Sequence, residues 1–474
     1  MRPLLLPLLL VSLLGGGCAS FERQGGFSDV QALVTDKGVG PIRWTAETGN
    51  ERPLDEALTK LLNGSLDAQG AVTVALLNNR GLQALYEELG IAQADLLQAG
   101  LLQNPVFSVE RRFSGKALEL DVAQGLLGIF LIPLRKRAAA HDFEAAKLRV
   151  AHAVVSHAAQ TQTAFYDHEA QRETIEALRQ TQVSSEAAVA TARELRRAGN
   201  VAELEVLSEM GKAAETRLEL SLAQVRLVAS RERLNVLMGL SGPAALGWKS
   251  SGRLPPVPDR EEDPERLETL ATEQRLDLSG EKEELRALEA RFGLAGYVAA
   301  LDGAAAEGHF EREPGGGSSV GPSLSIPLPL FDQGRLRDEA DRASLRQAAA
   351  RYLQHAVEIR SEVRLALAHI QEARLRAAYV EKELIPLRRR ILAESLSQYN
   401  GMFLGPRDLL GAQREAVVSM RARVEALRDY WSARVELAKA VGGTLPRTPG
   451  PASGNTDAAD SNESTEHHHH HHGG

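Results

Sequence analysis

Few residues in this chain have the types and spacing that chemistry requires. There is one thiol, Cys18, so no disulfide can form within the chain. Thirteen histidines are present, but His467–His472 form a terminal run that reads as a purification tag. The others (His141, His152, His157, His168, His309, His355 and His369) are scattered. His152 and His157 lie five apart, off register for one helix face, and none forms a zinc-type helix motif. No Walker loop, dinucleotide fingerprint, nucleophile elbow or zinc signature occurs. The expectation is a protein that is not an enzyme and carries no metal or cofactor. Two acids hold suggestive places. Glu205 and Asp408 each follow a glycine-bearing turn and precede apolar pairs, Val206-Leu207 and Leu409-Leu410. An acid there suits a helix dipole.

The N-terminus reads as an export signal over residues 1–17. Arg2 precedes an apolar run from Leu4 to Leu14, then Gly15-Gly16-Gly17 and Cys18. The run is too short to cross a bilayer as a helix. A lone cysteine after small residues resembles the lipobox of bacterial lipoproteins, although Gly15 stands where an apolar residue is usual and Leu14 is one place further back. Cleavage before Cys18 would leave its thiol to carry lipid. Residues 446–474 read as a disordered tail ending in the tag.

These residues must be positioned by the body of the chain, and the body contains itself twice. Residues 71–240 and 276–445 follow one plan: a helix, a strand pair, a Pro-marked bend, then two very long helices joined by a tight turn. Residues 18–70 precede the first copy as an anchored extended segment with a short helix, and 241–275 link the copies. From about Arg135 to Ala198 there is no proline, and the only glycine comes at the end. That span predicts a rod of about 100 Å. On the return helix Leu207, Met210, Ala214, Leu218, Leu222, Val225 and Val228 recur at spacings of three and four, a coiled-coil seam. On the outgoing helix the seam is smaller: Ala151, Val155, Ala158 and Phe165. An aromatic content of only 4% fits helices packed through Ala and Leu.

Two stretches read as strand pairs. In 104–127, Ala117, Glu119, Asp121 and Ala123 alternate with Leu118, Leu120 and Val122, and Ser114-Gly115-Lys116 forms the turn. In 293–330, the first strand carries Leu294, Tyr297 and Ala299, a loop Glu313-Pro314-Gly315-Gly316-Gly317 follows, and the second runs Val320–Leu328. Alternation of this kind is the membrane-barrel signal. Four strands cannot close a barrel, whereas three chains giving four each would make twelve with no free edge. The plainer alternative is a small soluble sheet capping a helical bundle.

The turns between the long helices differ. Gly199-Asn200 predicts a left-handed cap in the first copy, and Gly401 with Gly405-Pro406 a similar, longer turn in the second. Met402, Phe403 and Leu404 put apolar side chains at that apex, a docking signature. Pro386 lies inside the second outgoing helix, about 15 residues before the turn, where it removes a backbone donor and predicts a kink. It marks the second hairpin as the part that moves.

Ala75–Ser108 (ALLNNRGLQALYEELGIAQADLLQAGLLQNPVFS), Pro329–Ala340 (PLFDQGRLRDEA) and the two turns (RAGNVAELEVL, YNGMFLGPRDLL) together resemble the TolC family of outer-membrane efflux proteins, in its lipoprotein form. The resemblance covers about Pro53–Gly443. It implies a mainly α chain with a β-barrel part: duplicated, with long antiparallel helical hairpins forming a tunnel, four transmembrane strands per protomer and a twelve-stranded trimeric barrel. By position, Gly199, Asn200, Val206, Leu207, Gly401, Met402, Gly405 and Leu409 match tips that meet a periplasmic adaptor, which connects to an inner-membrane pump of the RND type. Asp408 occupies the place of a gating acid, while Gly411 stands where a second is often found. The resemblance places the chain in the outer membrane, anchored by lipid on Cys18. PLRKRA departs from the family's bend pattern in the first copy.

Composition narrows the alternatives. With 55 basic and 63 acidic side chains and a net charge of −8, the chain lacks the basic footprint of nucleic-acid binding. A periplasmic adaptor also has a signal, a lipidated cysteine and a helical hairpin, but normally one hairpin between β-rich domains. A coiled-coil scaffold would account for the helices and not for two symmetrically placed strand pairs.

Overall fold

The computed structural model describes residues 21–45, 52–112, 117–125, 127–250, 252–258, 266–301, 304–312, 316–326, 330–331, 333–443 and 445. Cys18 and the export signal, the Ser114-Gly115-Lys116 turn, Glu313-Pro314-Gly315 and the tail from 446 lie outside them. In chain order the elements are α1 (Phe27–Asp36), α2 (Arg52–Asn63), β1 (Ser65–Leu66), α3 (Ala68–Asn78), α4 (Arg80–Ala99), β2 (Val106–Arg112), β3 (Ala117–Gly125), α5 (Leu127–Arg197), α6 (Glu203–Met238), α7 (Gly242–Gly247), β4 (Lys249–Ser250), α8 (Leu267–Gln274), α9 (Leu276–Leu301), β5 (Ala305–Arg312), β6 (Ser318–Ser325), α10 (Arg335–Tyr379), a π turn (Val380–Leu384), α11 (Ile385–Asn400) and α12 (Pro406–Val441). No helix among the described residues is long and apolar enough to cross a membrane.

Helix α5 is 71 residues long and continues through Pro133, so the proline does not end the helix. The helix begins at Leu127, ahead of the proline, and Arg135 Nη2 donates to Gly128 O at 2.9 Å, one carbonyl before the one that the proline leaves without its donor. The first strand of the second pair is also displaced. Leu294, Tyr297 and Ala299 belong to α9, and the strand starts at Ala305. A short Ala- and Leu-rich run has no clear period, and here it continues the helix that precedes it.

The duplication is visible in the packing. Helices α6 and α12 each have 36 residues. Each ends in a left-handed glycine, Gly239 (φ 67°) and Gly442 (φ 96°). A Cβ on Gly239 would lie 2.7 Å from Asn78 O, and one on Gly442 would lie 3.2 Å from the Arg275 backbone. Asn78-Asn79 and Arg275 are themselves matched breaks, between α3 and α4 and between α8 and α9. Glycine is required twice for the same two reasons, a positive φ and the close approach of another backbone. Asn78 and Asn79 then donate to the last carbonyls of α6, from Val236 to Gly239, at 2.8–3.2 Å.

Three larger clusters make the core. Phe27, Trp44, Tyr86, Val150 and Val154 join the N-terminal segment and α4 to α5. Trp248, Phe165, Leu234 and Met238 join α5 to α6. Ile359, Val363, Ile370, Tyr430 and Leu437 join α10 to α12. Helix α5 packs on α6 on one side and α12 on the other, and α12 packs on α10 and α11. The result is a layer with α6 and α10–α11 as its outer members. Ala151, Val155, Ala158 and Phe165 are all buried as the outgoing seam. The return seam is not: Leu207, Met210, Leu218, Leu222, Val225 and Val228 are exposed. Helix α6 meets α5 through Ala213, Thr216, Leu220 and Ala223 instead. The heptad stripe read from the sequence is real, but it faces out of the chain.

Candidate functional site

At the far end of the long hairpins two turns lie side by side. The first is a Schellman cap: Asn200 N–H donates to Leu195 O (2.9 Å), Gly199 N–H donates to Arg196 O (3.0 Å), and Gly199 has φ 78°. The second has the same two bonds, from Phe403 to Gln398 O (2.9 Å) and from Met402 to Tyr399 O (3.0 Å). Its left-handed residue is Met402, at φ 61°, the only described non-glycine with positive φ. Gly401, expected to play that part, has φ −80°. A Cβ there would sit 2.8 Å from the ring of Phe403, which is exposed and free to turn aside. Gly405 is extended (φ −77°, ψ 158°) and caps α12 ahead of Pro406. Met402 is 94% exposed and Phe403 87%. Leu207 is also exposed, with Val206 and Leu409 half-buried. Asp408, in the first turn of α12, is exposed.

What holds the turns together was not read from the sequence. Arg407, Arg414 and Arg421, seven apart on α12, reach Glu205 (3.4 Å), Glu209 (3.2 Å) and Glu219 (2.6 Å) on α6. Glu209 is buried and is also held by Lys212 at 2.8 Å. The arginine spacing was visible in the sequence; the partners were not, because they lie some 200 positions away in the other copy.

At the opposite end, β2-β3-β5-β6 form one antiparallel sheet in that order, joined across the copies by β3 and β5. Directly paired residues share a face. One face carries Glu110, Glu119, Asp121, Glu307, His309 and Glu311. His309 Nδ1 lies 2.5 Å from Asp121 Oδ1. The other face carries Phe107, Val109, Leu120, Val122, Phe310, Val320 and Leu324. Of these Phe107, Val109, Val122, Val320 and Leu324 are exposed. The sheet does not close on itself, and β2 and β6 are its edges.

Two apolar stripes run down the sides of the layer. One is the α6 stripe. The other, on α10, comprises Leu353, Val357, Leu365, Leu375 and Tyr379, all exposed. The histidines serve structural contacts: His157 bonds to Leu237 O, His168 to Ser230 Oγ, and His355 to Glu281. Burial pushes the His168 imidazole down to about 4, aided by Arg231 and Arg172. No group of three metal-binding side chains is assembled among the described residues. Pro386 occupies the first turn of α11, directly after the π turn.

Solved membrane proteins share this fold. The CmeC outer membrane channel of Campylobacter jejuni is 18% identical, with TM-score 0.67 over 86% of this chain and 92% of that one. VceC of Vibrio cholerae is 16% identical, with TM-score 0.65 over 85% and 100%. A membrane protein of Pseudomonas aeruginosa is 21% identical, with TM-score 0.67 over 79% and 92%. No protein-family model and no curated protein sequence matches the chain. The chain has the fold of these outer-membrane channels.

Proposed function

We propose that this protein is the outer-membrane channel of a tripartite efflux system. Three copies associate side by side, and the apolar stripe of α6 in one copy meets that of α10 in the next. Their sheets join edge to edge into a twelve-stranded barrel with the apolar face toward lipid and the acidic face toward the lumen. The hairpins form a tunnel into the periplasm. The tips carrying Gly199, Asn200, Val206, Leu207, Gly401, Met402, Gly405 and Leu409 dock on a periplasmic adaptor, which links them to an inner-membrane pump of the RND type. Cys18 carries lipid, Asp408 forms a threefold acidic ring at the entrance, and the second hairpin bends at Pro386. The duct is passive, and the pump supplies energy and direction.

The observation that carries this reading is the apolar surface a single chain leaves open: the two lateral stripes, the outer sheet face and both sheet edges. Patches of that extent mark association or membrane contact. The test is extraction from outer-membrane fractions in mild detergent, with the mass measured by light scattering and corrected for detergent. A mass of three chains, and bilayer conductance whose cation preference falls in Asp408→Asn, is expected. A monomer soluble without detergent would refute the proposal.

A further inference from the structure

The two hairpins are anchored very differently. The first is packed almost to its tip: Ala188, Ala192, Glu209 and Ala213 are all buried. Between Pro386 and Arg423 the second hairpin has no buried apolar residue. Along that length α12 is tied to α6 by the arginine–glutamate pairs, and apolar burial resumes at Val424.

The segment linking the two copies crosses the molecule at the level of this change. Leu254 is 5% exposed and wedges between Ala170 of α5 and Val424 and Leu427 of α12. Its neighbours are fastened on both sides. Gly252 N–H donates to Glu169 Oε2 (3.1 Å) and Leu254 N–H to Glu173 Oε1 (2.6 Å), both on α5. Trp431 Nε1–H of α12 donates to Pro255 O at 2.8 Å. Beyond this anchor the chain reads Pro256-Val257-Pro258, stiffened by its prolines. It does not close on the π turn. A cavity of about 250 Å³ separates them, walled by Ala377, Ala378, Glu381, Lys382 and Leu427. Arg423 of α12, at the edge of the cavity, reaches Glu381 of the π turn at 2.6 Å.

A π turn is a local break in the hydrogen-bond ladder, and such breaks recur where helices bend for function. Here the break faces open space on one side and has a fixed wedge beside it. We propose that the inter-repeat segment Gly252–Pro258 is the fulcrum of the second hairpin: Leu254 pins α12 to α5, and the adjoining cavity is the room into which the π turn repacks when the hairpin swings. The link between the copies is thereby a mechanical part as well as a connection. The swing itself rests on the channel reading given above; the fulcrum is a property of the fold and is measured separately.

The experiment places spin labels at Asn200 and Met402 in the full-length protein, diluted with unlabelled chains so that each assembly holds one labelled copy. Leu254→Ala is expected to broaden the tip-to-tip distance distribution and shift it to longer values. Trp431→Phe, which keeps a ring but removes the donor to Pro255, should do the same to a smaller degree and covers the case in which Leu254→Ala fails to fold. Ile175→Ala, in the α5–α6 core away from the segment, should leave the distribution unchanged. Distances that ignore Trp431→Phe and a folded Leu254→Ala, or that respond equally to Ile175→Ala, would overturn the fulcrum. Wild-type conductance measured in parallel separates the two ideas, because a non-conducting protein whose tips still respond to Leu254 loses the channel reading and keeps the fulcrum.

Discussion

Met402 shows how one residue reports a function that its backbone opposes. It stands where the first copy has Gly199, in a conformation that costs an ordinary residue about 1 kcal/mol. Its side chain gains nothing in return within the chain, since it is almost wholly exposed. Strain with no internal compensation points to an external one. Met402→Gly is therefore expected to raise unfolding free energy by about 1 kcal/mol and to weaken the proposed capture of an adaptor. Denaturant melts and co-purification with the adaptor check both halves, and a mutant neither stabler nor weaker in capture would remove the argument. His168 gives the pH counterpart. It is buried against Trp248, and its folded value of about 4 lies below the ordinary imidazole value. The unfolded chain then binds a proton that the folded chain refuses between those values. The contribution of His168 is a loss of about 3 kcal/mol as pH drops from about 6.5 to 4, with no further change from this group below that. Melts across this range should show the slope, and His168→Gln should flatten it.

Among the elements, the arginine–glutamate pairs between α12 and α6 are not equivalent. Arg407 and Glu205 meet at the surface, where an ion pair is worth under about 1 kcal/mol. Glu209 is buried, so removing Arg414 leaves a buried carboxylate with Lys212 alone. Arg414→Ala is expected to cost about 3 kcal/mol and Arg407→Ala less than about 1 kcal/mol. Denaturation of the two variants tests the ranking, which equal losses would contradict. If the second hairpin swings as proposed, pairs of this kind suit its joint, because charges released to water are rehydrated, whereas a separated apolar core is not. The π turn ahead of Pro386 belongs to the same logic. The sequence predicts a kink there; the structure shows the hydrogen-bond ladder already changed to a π turn over Val380–Leu384, so the proline follows a local break in the regular α pattern.

In the whole molecule, the prediction concerns the stripes. Leu222→Asp on α6 puts a charge where the proposed assembly buries an apolar residue, while the single chain already exposes that position. The expected result is a detergent-corrected mass that falls from three chains to one with the helical content retained. A variant that stays trimeric would place the contact elsewhere. How far the sequence led can be judged from particular elements. The long helices, their turns and the four strand segments follow from local causes: absence of proline, glycine caps, alternation over eight residues. Where local signals were ambiguous the reading slipped, as at Leu294–Ala299, where a short apolar run continues α9, and at Pro133, which α5 absorbs in its first turns. The α6 stripe was recognised by its period, yet period says only that a face is apolar and not what covers it. Gly199 is the left-handed cap that its sequence predicts, whereas in the second turn the positive φ falls on Met402, because the caps differ by one residue and only the backbone shows which residue bears it. By itself, then, the sequence determined the duplication, the helical rods, the paired strands and the positions of the tips, since each depends on neighbours within a few residues. Only the tertiary structure decided which faces remain open, which arginines meet which glutamates, and that the linker wedges between the hairpins, because those contacts join residues from tens to some 200 positions apart and no local pattern encodes their distance.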